Sequence, residues 1–138
     1  MGEACILGIG VDLVENSRMT QMLRRWGAKF RDKVFVKTEQ QYCDSKAFPN
    51  RHYAGRFAVK EAVTKAFGTG VGTSLSWLDI EVVRDRATGA PSVRFSDKAR
   101  KLMRKRRAGG VLISLSHTRN YAVAHAILLS AHRRGSCS

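Results

Sequence analysis

Residues 57–70, FAVKEAVTKAFGTG, carry the clearest periodicity in the chain. Val59, Ala62, Val63, Ala66 and Phe67 recur at the i, i+3, i+4, i+7, i+8 spacing of one buried helical stripe, and Gly68 and Gly70 end it. Lys60, Glu61, Thr64 and Lys65 fall on the opposite face. Upstream, Cys5, Leu7, Ile9, Val11 and Leu13 alternate with Ile6, Gly8, Gly10, Asp12 and Val14, a period of two that predicts a strand. From Glu15 the period turns helical: Met19, Met22, Leu23 and Trp26 form an apolar stripe, Arg18, Gln21, Arg24 and Arg25 face away, and Gly27 closes the element. Thr38 followed by Gln41 predicts a capping box opening a short helix through Lys46. Pro49 and Asn50 then break the chain, with Asn50 as the expected N-cap of the long helix.

Beyond the glycine-rich exit, Leu78, Ile80 and Val82 alternate with Asp79, Glu81 and Val83, and residues 87–91 supply a turn into a second strand at 92–95. Ser96 caps a predicted basic helix with Ala99, Leu102 and Met103 inward and Lys98, Arg100, Lys101, Arg104 and Lys105 outward, ended by Gly109 and Gly110. Val111, Ile113 and Leu115 alternate with Leu112, Ser114 and Ser116, and residues 117–120 turn the chain into a last strand at 121–129. Residues 130–138 are expected to be a disordered tail. This order predicts one α+β domain over residues 1–129, a mostly antiparallel sheet packed against a long central helix and shorter helices. The GTGVG stretch follows a helix instead of linking a strand to one, which excludes a dinucleotide fingerprint and a P-loop.

Composition bears on partners more than on fold. The 138 residues, 43% of them hydrophobic, suffice for one core, while 25 Lys and Arg against 11 Asp and Glu give a net charge of +14. Such an excess points to an anionic partner: nucleic acid, a phosphate ligand, an anionic membrane or an acidic protein. Cys5, Cys43 and Cys137 show neither metal spacing nor a disulfide framework, so a reducing compartment is the simplest expectation. No apolar run approaches the roughly 18 residues of a membrane span, and no basic region precedes the first apolar run, so a soluble, cytoplasmic protein is expected.

Three chemically useful points remain. Asp12 follows two glycines on one face of a strand, a face that glycine can keep open around the carboxylate. Glu61 and Lys65 stand one turn apart, which alone describes a solvated i,i+4 pair worth about 0.3–0.5 kcal/mol. His117 sits at a hairpin turn, which alone describes a hydrogen-bonded turn residue. Two carboxylates are too few to cage a metal unaided but suit Mg²⁺, which takes one or two protein carboxylates together with waters and phosphate oxygens. Lys65 and His117 would then meet phosphate charge or move protons, and glycines at 68, 70 and 72 would let a phosphorylated ligand approach backbone N–H groups.

The runs GIGVDLVENSR at 8–18, GRFAVKEAVTKAFGTG at 55–70 and SLSHTRNYAVA at 114–124 together closely resemble the holo-acyl-carrier-protein synthases of the phosphopantetheinyl transferase superfamily, over roughly residues 6–129. The resemblance implies the phosphopantetheinyl transferase fold and Mg²⁺-dependent transfer of the phosphopantetheine arm of coenzyme A to a serine of an acidic apo acyl carrier protein. Adenosine 3',5'-bisphosphate would leave. It also implies a role in fatty acid and lipid synthesis and a homotrimer with sites between subunits. Matched position by position, Asp12 and Glu61 resemble the metal ligands, Lys65 a phosphate-contacting lysine able to protonate the leaving group, and His117 a coenzyme A phosphate contact. Arg56, Phe57, Thr64, Gly68 and Pro91 match the nucleotide and pantetheine path, with Lys65 and His117. Some members carry an acidic residue where this chain has Thr118, so no third carboxylate is assigned. Glu61, directly or through a metal-bound water, is the preferred base for the acceptor serine. The helix bearing Arg18, Met22, Arg25 and Trp26 is the expected docking surface for the carrier protein, because it follows directly on the strand of Asp12. The competing class is a non-catalytic basic nucleic-acid-binding module. Aromatic residues at 8% that do not interleave with basic ones speak against it, so nucleic acid is not expected as a partner, and without an apolar span neither is a membrane.

Overall fold

The computed structural model describes residues 5–69 and 74–131. The expected glycine contacts at 70 and 72 and positions 132–138 of the expected tail lie outside the described residues. Strand β1 (Ile6–Glu15) leads into helices α1 (Asn16–Trp26), α2 (Ala28–Val34), α3 (Lys37–Asp44) and α4 (Pro49–Phe67). A single 3-10 turn, Trp77–Asp79, precedes the hairpin of β2 (Ile80–Arg84) and β3 (Pro91–Phe95), and helix α5 (Asp97–Lys105) leads to a second hairpin, β4 (Ala108–His117) and β5 (Tyr121–Ser130). The architecture is α+β with every strand pair antiparallel: β1-β5-β4 form one sheet and β2-β3 the other.

Helix α4 lies across β1 and β5 and is covered on its other side by α1, α3 and β2. Its predicted stripe is the centre of the core, with Val59, Ala62 and Val63 fully buried and Ala66 and Phe67 nearly so. The close seat on β1 depends on Gly8 and Gly10, where a Cβ would run into the carbonyl oxygens of Ala66 and Ala62. These glycines therefore admit a helix backbone and do not hold a face open for a ligand, which corrects the expectation drawn from the strand pattern. The polar face of α4 also departs from expectation. Lys60 and Thr64 are 0% and 1% exposed, because α3, the 3-10 turn and β2 form a second layer over them.

Beneath that layer Lys60 Nζ donates to Glu39 Oε1 at 2.7 Å and to the carbonyls of Trp77 and Ile80 at 2.9 and 2.6 Å. Glu39 accepts in turn from the backbone N–H of Val36 and Val82. Glu39 thus caps α3 from its third residue, while Thr38, the expected cap, lies inside the helix and donates to Glu81. Burial lowers the Lys60 pKa, against the opposing pull of Glu39. It raises the Cys43 thiol to about 12, leaving that cysteine an inert core residue.

Other boundaries moved by a turn or less. Pro49 takes the first helical position of α4, so Asn50 lies inside the helix and donates its side-chain amide to Thr20. Ser96 caps α5 as expected, accepting from the N–H of Ala99 at 3.1 Å, but the helix stops at Lys105, and Gly109 and Gly110 belong to β4. Strand β5 runs through Ser130, the first residue of the expected tail, whose hydroxyl accepts from Cys5 N–H. Among the described residues no helix is long and apolar enough to cross a membrane.

Candidate active site

Asp12 lies on the face of β1 that meets α4, three residues before the strand ends. Period two forces this: once Gly8 and Gly10 point into the helix, so does residue 12. Its Oδ1 accepts from Lys65 Nζ at 2.9 Å, and the same ammonium donates to the carbonyl of Val11 at 3.0 Å. Lys65 is therefore paired across elements with Asp12, not along the helix with Glu61. One turn earlier on α4, Glu61 Oε1 accepts from the indole N–H of Trp77 at 2.8 Å. Asp12 and Glu61 line one cleft of ≈ 410 Å³ together with Phe57 and with Arg18 and Met22 of α1. Among the described residues, one oxygen of each carboxylate is engaged by a protein donor and the other by none. Among the described residues no cluster of three or more His, Cys, Asp or Glu has the placement to hold a metal. Two carboxylates beside a polar cleft nonetheless fit Mg²⁺, which draws its remaining ligands from water and phosphate.

Arg56, Pro91 and His117 line a different cavity, of ≈ 170 Å³, with Tyr42, His52 and Arg84. It adjoins a wider hollow of ≈ 670 Å³ that Lys46 and Arg86 also edge. Arg56 is 6% exposed and lies 3.9 Å over the ring of Tyr42; its Nε has no hydrogen-bond partner, and no ion pair of the described residues includes it. A buried guanidinium without a carboxylate, among further cations, is chemically suited to an external anion. His117 ends β4 with its ring against Gly55, where any Cβ would collide with it. His52 stands 5.9 Å away, ring to ring. Partial burial, then the charges of Arg56 and Arg84, lowers the His117 pKa; burial and then His117 itself lower that of His52. Both imidazoles are thus biased toward neutrality.

Within one chain the expected residues divide. Asp12, Glu61, Phe57, Arg18 and Met22 share the first cleft, with Lys65 tied to its edge through Asp12. Arg56, Pro91 and His117 share the second, and the two have no lining residue in common. Thr64 and Gly68 line neither: the Thr64 hydroxyl donates to the carbonyl of Glu61, and Gly68 ends α4 with its N–H on Thr64 and Lys65. Arg25 and Trp26 continue the exposed side of α1, the guanidinium 5.1 Å from the indole ring. The sequence reading missed Trp77, His52 and Arg84. His52 lies four residues before Arg56, a helical spacing that was available to find it; Trp77 reaches Glu61 only through tertiary packing and left no periodic signal.

The model of the 4'-phosphopantetheinyl transferase superfamily matches residues 8–126. The chain is 44% identical to the holo-[acyl-carrier-protein] synthase of Ruminiclostridium cellulolyticum, over 87% of this chain and 90% of that protein. It is 44% identical to that of Protochlamydia amoebophila, over 88% and 96%. Among solved structures, the holo-[acyl-carrier-protein] synthase of Neisseria meningitidis superposes with a TM-score of 0.84 at 27% identity, covering 90% of this chain and 98% of that one. The Bacillus anthracis synthase in complex with CoA (3',5'-ADP) gives 0.76 at 34% identity, covering 91% and 98%.

Proposed function

The chain belongs to the 4'-phosphopantetheinyl transferase superfamily, and we propose that it is a holo-acyl-carrier-protein synthase, moving the phosphopantetheine arm of coenzyme A onto a serine of an acidic apo acyl carrier protein. The observation that carries this reading is the convergence of Asp12 from β1 and Glu61 from α4 on one cleft, with a lysine already bound to Asp12. These two carboxylates would hold Mg²⁺, which when bound supplies neutralising charge to the pyrophosphate. Glu61, acting through an intervening water, takes the proton of the acceptor serine as the serine oxygen forms a bond to the pantetheine-side phosphorus. The bond from that phosphorus to the bridging oxygen breaks, and Lys65 protonates the departing adenosine 3',5'-bisphosphate. Phe57, at the wall of the cleft, excludes water beside the pantetheine path. The cavity of Arg56, Pro91 and His117 receives the nucleotide phosphates, for which its unpaired cations are suited.

Coenzyme A must therefore reach both clefts, and we place them together by assembly. The face of the β1-β5-β4 sheet turned away from α4 is apolar where solvent-facing strands are normally polar: Ile9, Val11 and Leu13 of β1 and Leu112 of β4 are 50–67% exposed. A closed homotrimer would cover this face and set the Arg56 and His117 cavity of one subunit beside the Asp12 and Glu61 cleft of the next. The basic excess then serves the coenzyme phosphates and the acidic carrier, whose docking helix is α1 through Arg18, Met22, Arg25 and Trp26.

The test is transfer measured by mass shift of an apo acyl carrier protein supplied with coenzyme A and Mg²⁺. Asp12→Asn and Glu61→Gln are each expected to abolish most transfer while leaving the thermal midpoint nearly unchanged. Near-normal Mg²⁺-dependent transfer by either variant would remove that residue from the site.

A further inference from the structure

Resting on the reading of Glu61 as a metal ligand, we infer that Trp77 is the positioning residue that presents this carboxylate to the metal. Helix α4 clamps Trp77 at both ends through consecutive residues. Lys60 Nζ, fully buried, holds its main-chain carbonyl at 2.9 Å, and Glu61 Oε1 accepts its indole N–H at 2.8 Å. The ring packs tilted against Phe57, centroids 6.1 Å apart, and Lys33 lies 5.9 Å from its centroid. Lys60 is itself fixed by Glu39 and the Ile80 carbonyl, so the indole cannot follow Glu61 if that side chain swings. Two consequences follow. The side chain of Glu61 is held in place before any metal arrives, and with Oε1 engaged by the indole Oε2 is the freer oxygen to offer a metal, which would draw its other ligands from water and phosphate. Trp77 touches neither coenzyme nor acceptor in this scheme and acts only through Glu61.

Substituting Trp77→Phe keeps a ring against Phe57 and deletes only the donor. Titrating the protein with Mn²⁺ in the presence of saturating coenzyme A, with free Mn²⁺ counted by electron paramagnetic resonance, reads metal affinity without turnover. Loss of an outer partner of a ligand weakens binding on the order of 10-fold or more, so the Trp77→Phe midpoint should rise by about that factor. The KM for the carrier protein should stay within about twofold, since docking does not use the indole, and saturating metal should restore kcat. A Trp77→Phe titration that superimposes on the parent's overturns the inference while Glu61→Gln still weakens Mn²⁺ binding. If Glu61→Gln also binds Mn²⁺ normally, the ligand assignment itself has failed and the inference falls with it. Should Trp77→Phe not fold, Trp26→Phe leaves Trp77 as the only tryptophan, since the chain has two. Its emission must then shift as Mg²⁺ loads beside coenzyme A, and unchanged emission through loading overturns the proposal.

Discussion

Replacing Lys60 by methionine tests whether the buried pair beneath α4 holds the two layers together. Methionine keeps most of the stem volume and removes the charge, so cavity formation contributes little and electrostatics dominate. Three contacts vanish at once, to Glu39, Trp77 and Ile80 at 2.6–2.9 Å, and Glu39 remains at 1% exposure with only the N–H groups of Val36 and Val82 as partners. Orphaning one member of a buried pair costs about 3–5 kcal/mol. For a chain of this size that corresponds to a fall in Tm on the order of 10–20 °C, measured by calorimetry at one fixed protein concentration because the proposed assembly would contribute to the midpoint. The exposed pair of Lys37 and Asp32, 3.2 Å apart with side chains 78% and 55% exposed, is the control: Lys37→Met should cost less than about 1 kcal/mol. Adding Glu39→Leu to Lys60→Met should recover part of the loss, since the uncompensated carboxylate is then gone. A Lys60→Met variant within about 1 kcal/mol of the parent refutes the reasoning, because an orphaned Glu39 cannot be that inexpensive unless it finds water.

Ile9→Asp, at a position 67% exposed on the outer sheet face, should yield a folded monomer by light scattering with little transfer activity; a fully active monomer would dismiss the trimer. The depressed pKa values of His117 and His52 make the folded state bind fewer protons than the unfolded one just below pH 6.5, so stability present above about that value should fall as pH drops through the folded pKa values, and phosphate or coenzyme A should flatten the fall by favouring the charged imidazoles. Thermal midpoints across pH 5–8, with and without ligand, check this, and a midpoint that rises on acidification would reverse the sign. Charge reversal at Arg18 and Arg25 should raise the carrier KM and weaken its salt dependence with coenzyme A affinity unchanged; weakened coenzyme binding instead would assign these arginines to the nucleotide.

How much was legible depended on sequence distance. The stripe of α4 and the alternations of β1, β4 and β5 are local patterns, and each element formed over its periodic residues, with ends that moved by a few positions. Helix α2 left no such mark, because seven residues, AKFRDKV, span barely two turns. The burial of Lys60 was illegible for another reason. Its partner Glu39 lies 21 residues upstream, and a lysine on the polar face of a helix reads as solvated until a second layer is known to cover it. Gly8 and Gly10 share the face of Asp12 and suggest an open one, but the sequence does not say what lies against them, and the answer was a helix backbone. Asp12, Glu61 and Lys65 were named from pattern and resemblance together. That Lys65 pairs with Asp12, leaving Glu61 to Trp77, required the crossing of α4 over β1.

That crossing also ties assembly to chemistry. Along β1 alternate residues serve opposite faces: Gly8, Gly10 and Asp12 meet α4, while Ile9, Val11 and Leu13 form the apolar outer surface. The carboxylate is therefore one residue from two of the most exposed apolar side chains in the sheet, and its partner Lys65 also donates to the carbonyl of Val11. A neighbour seated on the outer face would fix the strand segment that carries Asp12 as well as deliver the second cleft. Loss of assembly should then reduce metal affinity along with coenzyme affinity. A subunit contact that supplied only an extra wall would weaken coenzyme binding and leave the Mn²⁺ midpoint where it was.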